Sequence, residues 1–290
     1  MVVGQSESVI RWPPETEHRS GIINLSQSHE IAVEIGGTPI LFRTRDSSFR
    51  RMLIDRYTGF ISSLPGRKFE FDLELVAPSV EVETAEDAHV EMLDGVWHLR
   101  RGDFRAHWDP RAGRGHIRQS ANPYSIDSVL RIVHTLILAR EGGFLLHAAS
   151  AIRGDRAFLF SGISGAGKTT ISRLAPPDVI LLTDEISYVR REATGYHACG
   201  TPFTGELARV GTNCSAPVAT LFLLEKGPEN KIEVVNTAEA VRCLLRNILF
   251  FAEDTELVEM IFHSACDFLD RVPVRRLSFV PDARVWDLIR

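Results

Sequence analysis

The stretch Ala157-Phe158-Leu159-Phe160-Ser161, running directly into Gly162-Ile163-Ser164-Gly165-Ala166-Gly167-Lys168-Thr169, decides how this chain is read. Four apolar residues in succession suit a strand buried on both faces. The glycine segment satisfies GxxxxGK[ST], and the helix predicted from about Lys168 to Leu174 is stopped by Pro176-Pro177. With background glycine of about 7%, such a match arises by chance in roughly one chain of this length in a hundred, and the strand–loop–helix context makes it rarer. The residue types explain the chemistry. Glycines 162, 165 and 167 let backbone N–H groups turn toward phosphate oxygens, and the helix behind them presents its positive end. Lys168 adds a full charge, and Thr169 offers a hydroxyl to Mg²⁺. The expectation is a site for ATP with Mg²⁺, lined by Gly162, Ser164, Gly165, Ala166, Gly167, Lys168, Thr169 and Thr170.

Downstream, Val179-Ile180-Leu181-Leu182 reads as another buried strand, ending in Thr183-Asp184-Glu185. Acids at a strand end beside a phosphate loop can supply metal ligands and a general base. Asp184 is assigned to the metal with Thr169, and Glu185 to the proton, although the residues leave that order open. Upstream, Phe144-Leu145-Leu146 is a short strand followed by His147. By pattern alone a single histidine there is more often a satisfied core residue than a catalyst.

Farther out, apolar residues at 126, 129, 130, 133, 136 and 137 predict a helix capped at Ser125 and stopped by Gly142-Gly143. A domain boundary is placed at 118–125. The chain divides into a loosely held arm over 1–30 containing Pro13-Pro14, a β-rich domain over 31–120 and an α/β domain over 121–290. In the β-rich part, Ile31–Ile35 and Pro39–Phe42 flank Gly36-Gly37 as a hairpin. Residues 47–57 repeat at helical spacing behind Asp46 or Ser47, and Phe69–Leu75 alternates strictly. Val96–Leu99 and Asp103–Trp108 make a second hairpin. In the α/β part, Thr220–Leu224 and Val274–Phe279 read as strands, and Ala238–Arg246 and Glu256–Leu269 as helices.

Composition excludes several function classes. Of the 290 residues, 44% are hydrophobic and 24% charged, which suits a globular chain, and the net charge of -5 argues against a nucleic-acid binder. Four dispersed cysteines form neither a CxxC pair nor a cluster with histidine, which favours a reducing compartment. No apolar run approaches the ~20 residues of a membrane span, and Met1–Ser6 opens no secretory signal. A soluble, cytoplasmic protein without membrane or nucleic-acid partners is expected.

Leu146-His147-Ala148-Ala149, the glycine loop and Thr183-Asp184-Glu185 stand in the order and spacing of the HPr kinase/phosphorylase catalytic domain, which the chain resembles over about 143–290. Gly143-Phe144-Leu145, Gly200-Thr201-Pro202-Phe203-Thr204-Gly205-Glu206 and Pro281-Asp282-Ala283-Arg284-Val285-Trp286 extend the resemblance, more closely to relatives other than the sugar-control enzyme. It implies an α/β, mixed-sheet fold: a P-loop core of the PEP carboxykinase/HPr kinase kind with a smaller β-rich N-terminal domain. It also implies catalytic roles for Glu185, Asp184, His147 and Lys168, with Glu206 as a further candidate, and homo-oligomers as the family often forms. The chain departs from the pattern at Glu185, where the family has aspartate. It also lacks the downstream arginine- and glycine-rich loop, in whose place stands Gly205–Gly211. Neither phosphorolysis nor HPr as substrate is therefore implied. Other relatives accompany peptide-modification or secondary-metabolite clusters. The expected activity is transfer of the ATP γ-phosphoryl group to a hydroxyl on a protein, peptide or small molecule. The alternative is a nucleotide-gated binding protein with little turnover.

Overall fold

The computed structural model describes residues 28–63, 69–77 and 87–290. Of the arm assigned to 1–30, residues 1–27 with Pro13-Pro14 lie outside the described residues, while His29 and Glu30 already belong to the first strand.

The N-terminal half builds a seven-stranded mixed sheet. Strands β1 (His29–Ile35) and β2 (Thr38–Thr44) form the expected hairpin, turning on Gly36 and Gly37 at φ of 59° and 77°. Helix α1 (Ser47–Arg56) starts at Asp46, whose Oδ1 accepts the Phe49 N–H at 2.8 Å, and it buries Phe49 and Leu53. It carries the chain over to β3 (Phe69–Leu75), which lies parallel to β2. Strands β4 (His89–Leu93), β5 (Val96–Arg101), β6 (Phe104–Asp109) and β7 (Arg114–Gln119) then meander, giving the order β1-β2-β3-β7-β6-β5-β4. The sequence reading missed β4 and β7. In β7 only Ile117 and Gln119 are buried, and in β4 only Val90, too few apolar positions to show a period of two.

Helix α2 (Pro123–Glu141) links the halves. Its cap is Asn122 rather than Ser125: the Asn122 side chain accepts the Tyr124 N–H at 3.0 Å. Pro123 occupies the first turn, where its missing N–H is no loss. Ser125 instead donates its hydroxyl to Asp103 Oδ2 at 2.7 Å. Gly142 ends the helix in the left-handed conformation. From Ser125 to Ala139 every residue but Ser128 and Arg131 is buried, because α2 is covered by α1 on one flank and by the second layer on the other.

The second, nine-stranded sheet is also mixed. It comprises β8 (Phe144–Arg153), β9 (Arg156–Ser161), β10 (Ile180–Thr183), β11 (Ile186–Glu192), β12 (Gly195–Cys199), β13 (Ser215–Lys226), β14 (Lys231–Val234), β15 (Ile248–Leu249) and β16 (Val274–Phe279). Helix α3 (Lys168–Arg173) follows the glycine loop, and α4 (Thr237–Asn247) and α5 (Thr255–Arg271) precede β16. β9 and β16 lie parallel to β13 on either side of it, whereas β8 pairs antiparallel with β9, β10, β11 and β15. β10 and β11 run along β8 as one interrupted strand: Ile180 opposes Ile152 and Val189 opposes Phe144, with a register shift near the interruption. Only Asp184 and Glu185 fall in the gap.

Buried side chains form two clusters. The larger extends from Ile31 in β1 through Trp97, Trp108 and α2 to Phe268 and Val274, so both sheets share one continuous apolar interior. At the seam, Gly36 meets Tyr188 so closely that an added Cβ would lie 2.3 Å from the ring. The smaller cluster, with Phe158, Phe160, Ile171, Phe222, Phe279 and Trp286, lies under the glycine loop. Among the described residues no helix is long and apolar enough to cross a membrane.

Candidate functional site

Strand register brings the candidate residues together. On β8, His147 opposes Ile186 of β11, and Ala148 opposes Ser161, the last residue of β9. The Ser161 hydroxyl donates to the His147 carbonyl at 3.1 Å. The glycine loop therefore leaves the sheet beside His147, and the Asp184–Glu185 interruption lies on the other side of the same strand. An interruption of this kind re-aims side chains that regular alternation would send to fixed faces.

The loop from Gly162 to Gly167 turns with Gly165 at φ 76° and Gly167 at φ 113°. At Gly167 glycine is doubly required, since an added Cβ would stand 2.7 Å from the Phe279 ring. Ile163, Ser164 and Gly165 form an exposed crest, while Ala166 and Lys168 are buried. Lys168, 8% exposed, donates from Nζ to the Gly162 carbonyl at 3.1 Å. Burial lowers its pKa, opposed by the nearby charges of Glu185 and Glu206. Thr169 and Thr170 are half-buried on the first turn of α3. That short helix is anchored from below by the Trp286 indole N–H, which donates to the Ile171 carbonyl at 3.1 Å. The C-terminal segment quoted in the sequence reading thus holds the loop's base.

The two acids differ sharply. Asp184 is 1% exposed, and its oxygens accept the backbone N–H groups of Gly205 and Leu207 at 3.1 and 3.0 Å. It ties the segment after Gly200 across the sheet end. Gly205 lies so close that an added Cβ would be 2.5 Å from Glu185 Oε2 and 2.9 Å from Asp184 Oδ2. Glu185 is half-exposed, with Oε1 3.6 Å from His147 Nε2. Burial lowers the His147 pKa, with the Lys168 and Arg131 charges acting in the same direction and Glu185 opposing. The lowered pKa favours the uncharged imidazole, which makes this contact a polar approach more than an ion pair.

Glu185 is the hub of the arrangement: its charge bears on Lys168, His147 and Arg131. The sequence reading did not single out Arg131, and it quoted Phe203 and Gly205 only within the segment from Gly200 to Glu206, with no role for the amides of Gly205 and Leu207. Backbone donors leave no mark in sequence. Arg131 did leave one: it is a full charge in the middle of a helix that is buried on nearly every side.

Comparisons with known proteins add the following. The sequence model of the family described as "SynChlorMet cassette protein ScmC" matches residues 118–290. No curated protein matches. Among solved structures, the HPr(Ser) kinase/phosphatase from Coxiella burnetii is 12% identical with a TM-score of 0.22, over 41% of this chain and 87% of that one.

Proposed function

This chain belongs to the SynChlorMet cassette protein ScmC family, and within it we propose that it is an ATP-dependent kinase that phosphorylates a hydroxyl group. The family description names a cassette and no reaction, so the reading rests on the site. Its main support is the convergence of Lys168, Glu185 and His147 at the mouth of the glycine loop, where one carboxylate bears on both other groups.

In this reading the loop N–H groups and the Lys168 ammonium hold the β- and γ-phosphates. Thr169 and the acids offer hard oxygen ligands for Mg²⁺. Among the described residues no group of three or more His, Cys, Asp or Glu forms a metal cage of protein groups alone, and Mg²⁺ is commonly held by one or two carboxylates plus phosphate oxygens. When bound, Mg²⁺ neutralises charge on the phosphates. Glu185 accepts the proton of the acceptor hydroxyl as that oxygen bonds to the γ-phosphorus and the bond to the β-phosphate oxygen breaks, releasing ADP. Neutral His147 orients Glu185 without quenching its charge. Asp184 serves as a ligand for the metal, directly or through water, while also fixing the segment from Gly205 to Leu207.

ATP consumption by wild type, Lys168→Ala and Glu185→Gln, with and without hydroxyl acceptors, tests the reading. Acceptor-stimulated turnover lost in both variants is the expected result. Unchanged turnover in Glu185→Gln refutes the assigned base. One observation favours a second reading, a nucleotide-gated binder: Asp184 is sealed at 1% exposure beneath the Gly205–Leu207 segment, so a metal reaching it must share or displace that tie. Tight ATP binding through Lys168 without consumption, together with ATP-dependent capture of a partner, would select it.

A further inference from the structure

A cation held away from water is expensive unless a carboxylate neutralises it. Arg131 is in part such a cation: the residue is half-buried and its Nε is sealed from solvent. It sits in the buried stretch of α2, and its Nε has no hydrogen-bond partner. Its guanidinium lies over the Phe203 ring, 4.9 Å from the centroid. The acid one helical turn away, Asp127, bears most on it of the nearby charges but is shared with other donors. Asp127 accepts two hydrogen bonds from the Arg56 guanidinium and a third from the Tyr57 hydroxyl at 2.7 Å. Glu185 bears on Arg131 through its charge, yet its ion-pair-range partner among the described residues is His147. The burial that lowers the Arg131 pKa is therefore only partly offset.

Position gives this cation a use. Lys168 approaches His147 and Glu185 from the glycine loop, and Arg131 approaches the same two residues from α2. Phe203, under the guanidinium, belongs to the same segment as Gly205 and Leu207, which Asp184 holds in place. The charges bearing on Lys168 are Glu185 and Glu206, whereas those on Arg131 are Asp127, Glu185, Tyr57 and Arg56. Both cations thus bear on the base, Lys168 from the glycine loop and Arg131 from α2, so an acceptor presenting its hydroxyl to Glu185 meets the Arg131 charge as well. A planar guanidinium fixed by an aromatic face suits a two-oxygen anion.

We propose that Arg131 is a specificity-determining residue that binds an anionic oxyacid group, carboxylate or phosphate, carried by the hydroxyl-bearing acceptor. This rests on the kinase reading of the same site. It predicts that the acceptor is a hydroxy acid or a phosphorylated alcohol rather than a neutral alcohol.

The test uses the full chain with Mg²⁺ and a non-hydrolysable ATP analogue, and reads binding by calorimetry. Three probes share one scaffold: glycerate, glycerol 3-phosphate and glycerol. At least one anionic probe should bind wild type more tightly than glycerol, and the stronger of the two identifies the group. Arg131→Met keeps the stem over Phe203 but removes the charge. It should weaken that probe by about tenfold or more, the scale of a lost charge-assisted hydrogen bond. It should leave analogue affinity largely unchanged and melt no lower than wild type, since a half-buried, incompletely offset charge has been removed. Arg131→Lys should recover part of the binding. The inference is overturned if neither anionic probe outbinds glycerol, if Arg131→Met binds the probe as wild type does, or if it loses the nucleotide instead. Failure of the kinase reading is separate: wild type would then bind ATP through Lys168 but consume none when the same three probes are supplied.

Discussion

Acid should unfold this protein partly through a single side chain, His134. It lies in α2 at 0% exposure, neither ring nitrogen has a hydrogen-bond partner, and the ring meets Tyr188 edge-on at a centroid distance of 5.5 Å. Burial without a compensating charge pushes its pKa from 6.5 down to about 3. The unfolded chain takes up a proton on this residue below pH 6.5, while the folded chain does not until about pH 3. The contribution is therefore fully present above pH 6.5 and is lost progressively as the pH falls toward 3. Each pH unit inside that window removes about 1.4 kcal/mol, so going from neutral to about pH 4.5 removes about 2.7 kcal/mol. That is a large share of a typical folding stability of about 5–15 kcal/mol. His134→Leu should abolish this component. At neutral pH the variant exchanges two unsatisfied nitrogens for a side chain of similar volume but different shape, opposing effects of about 1–2 kcal/mol each, so the pH trend is what discriminates. Urea unfolding followed by tryptophan fluorescence, at constant ionic strength between about pH 7.5 and pH 4.5, gives the difference directly. The stability gap between variant and wild type should widen in favour of the variant by about 2–3 kcal/mol as the pH falls. Parallel curves for the two proteins would refute the reasoning.

Two further outcomes follow from contacts around the site. Gly205→Ala would press a methyl group against Glu185 Oε2 and Asp184 Oδ2, at 2.5 and 2.9 Å before relaxation. Because Asp184 is pinned by two amides, the displacement falls on the freer Glu185, and turnover should drop by roughly tenfold to a hundredfold with nucleotide affinity largely kept. Steady-state kinetics beside a nucleotide-binding measurement checks this, and unchanged turnover contradicts it. Trp286→Ala empties a buried indole beneath α3 and frees the Ile171 carbonyl. It should destabilise the chain by about 3–5 kcal/mol and weaken nucleotide binding in the remaining folded fraction. Chemical denaturation and a binding isotherm on the same sample would test both parts.

Much of the layout was written along the chain. The Gly36-Gly37 hairpin, α1 behind Asp46, the alternating β3 and the strand–loop–helix at Gly162–Thr169 are all set by neighbours within a few residues, where turn chemistry, capping and hydrophobic period act directly. Where the signal was weak the reading failed. β7 has a single large buried apolar residue, and the cap of α2 passed to Asn122 because Ser125 had a distant partner, Asp103, that no local pattern reveals. The two-part division of the sequence did not anticipate that both sheets would share one apolar interior through α2.

By itself, then, the sequence nominated the candidate residues: the glycines, Lys168, Thr169 and the paired acids by residue type and short spacing, and His147 through the family resemblance. Tertiary structure alone decided how those residues differ from one another. Antiparallel register set His147 beside Ser161 and the Asp184–Glu185 interruption. Adjacent residues in sequence then became unequal, Asp184 sealed by two backbone amides and Glu185 open toward His147. Arg131 joined them from a helix that the sequence reading had treated only as core. The physical reason is that burial and charge environment are properties of the surroundings. They depend on strands and loops brought in from distant parts of the chain, and no local pattern encodes them.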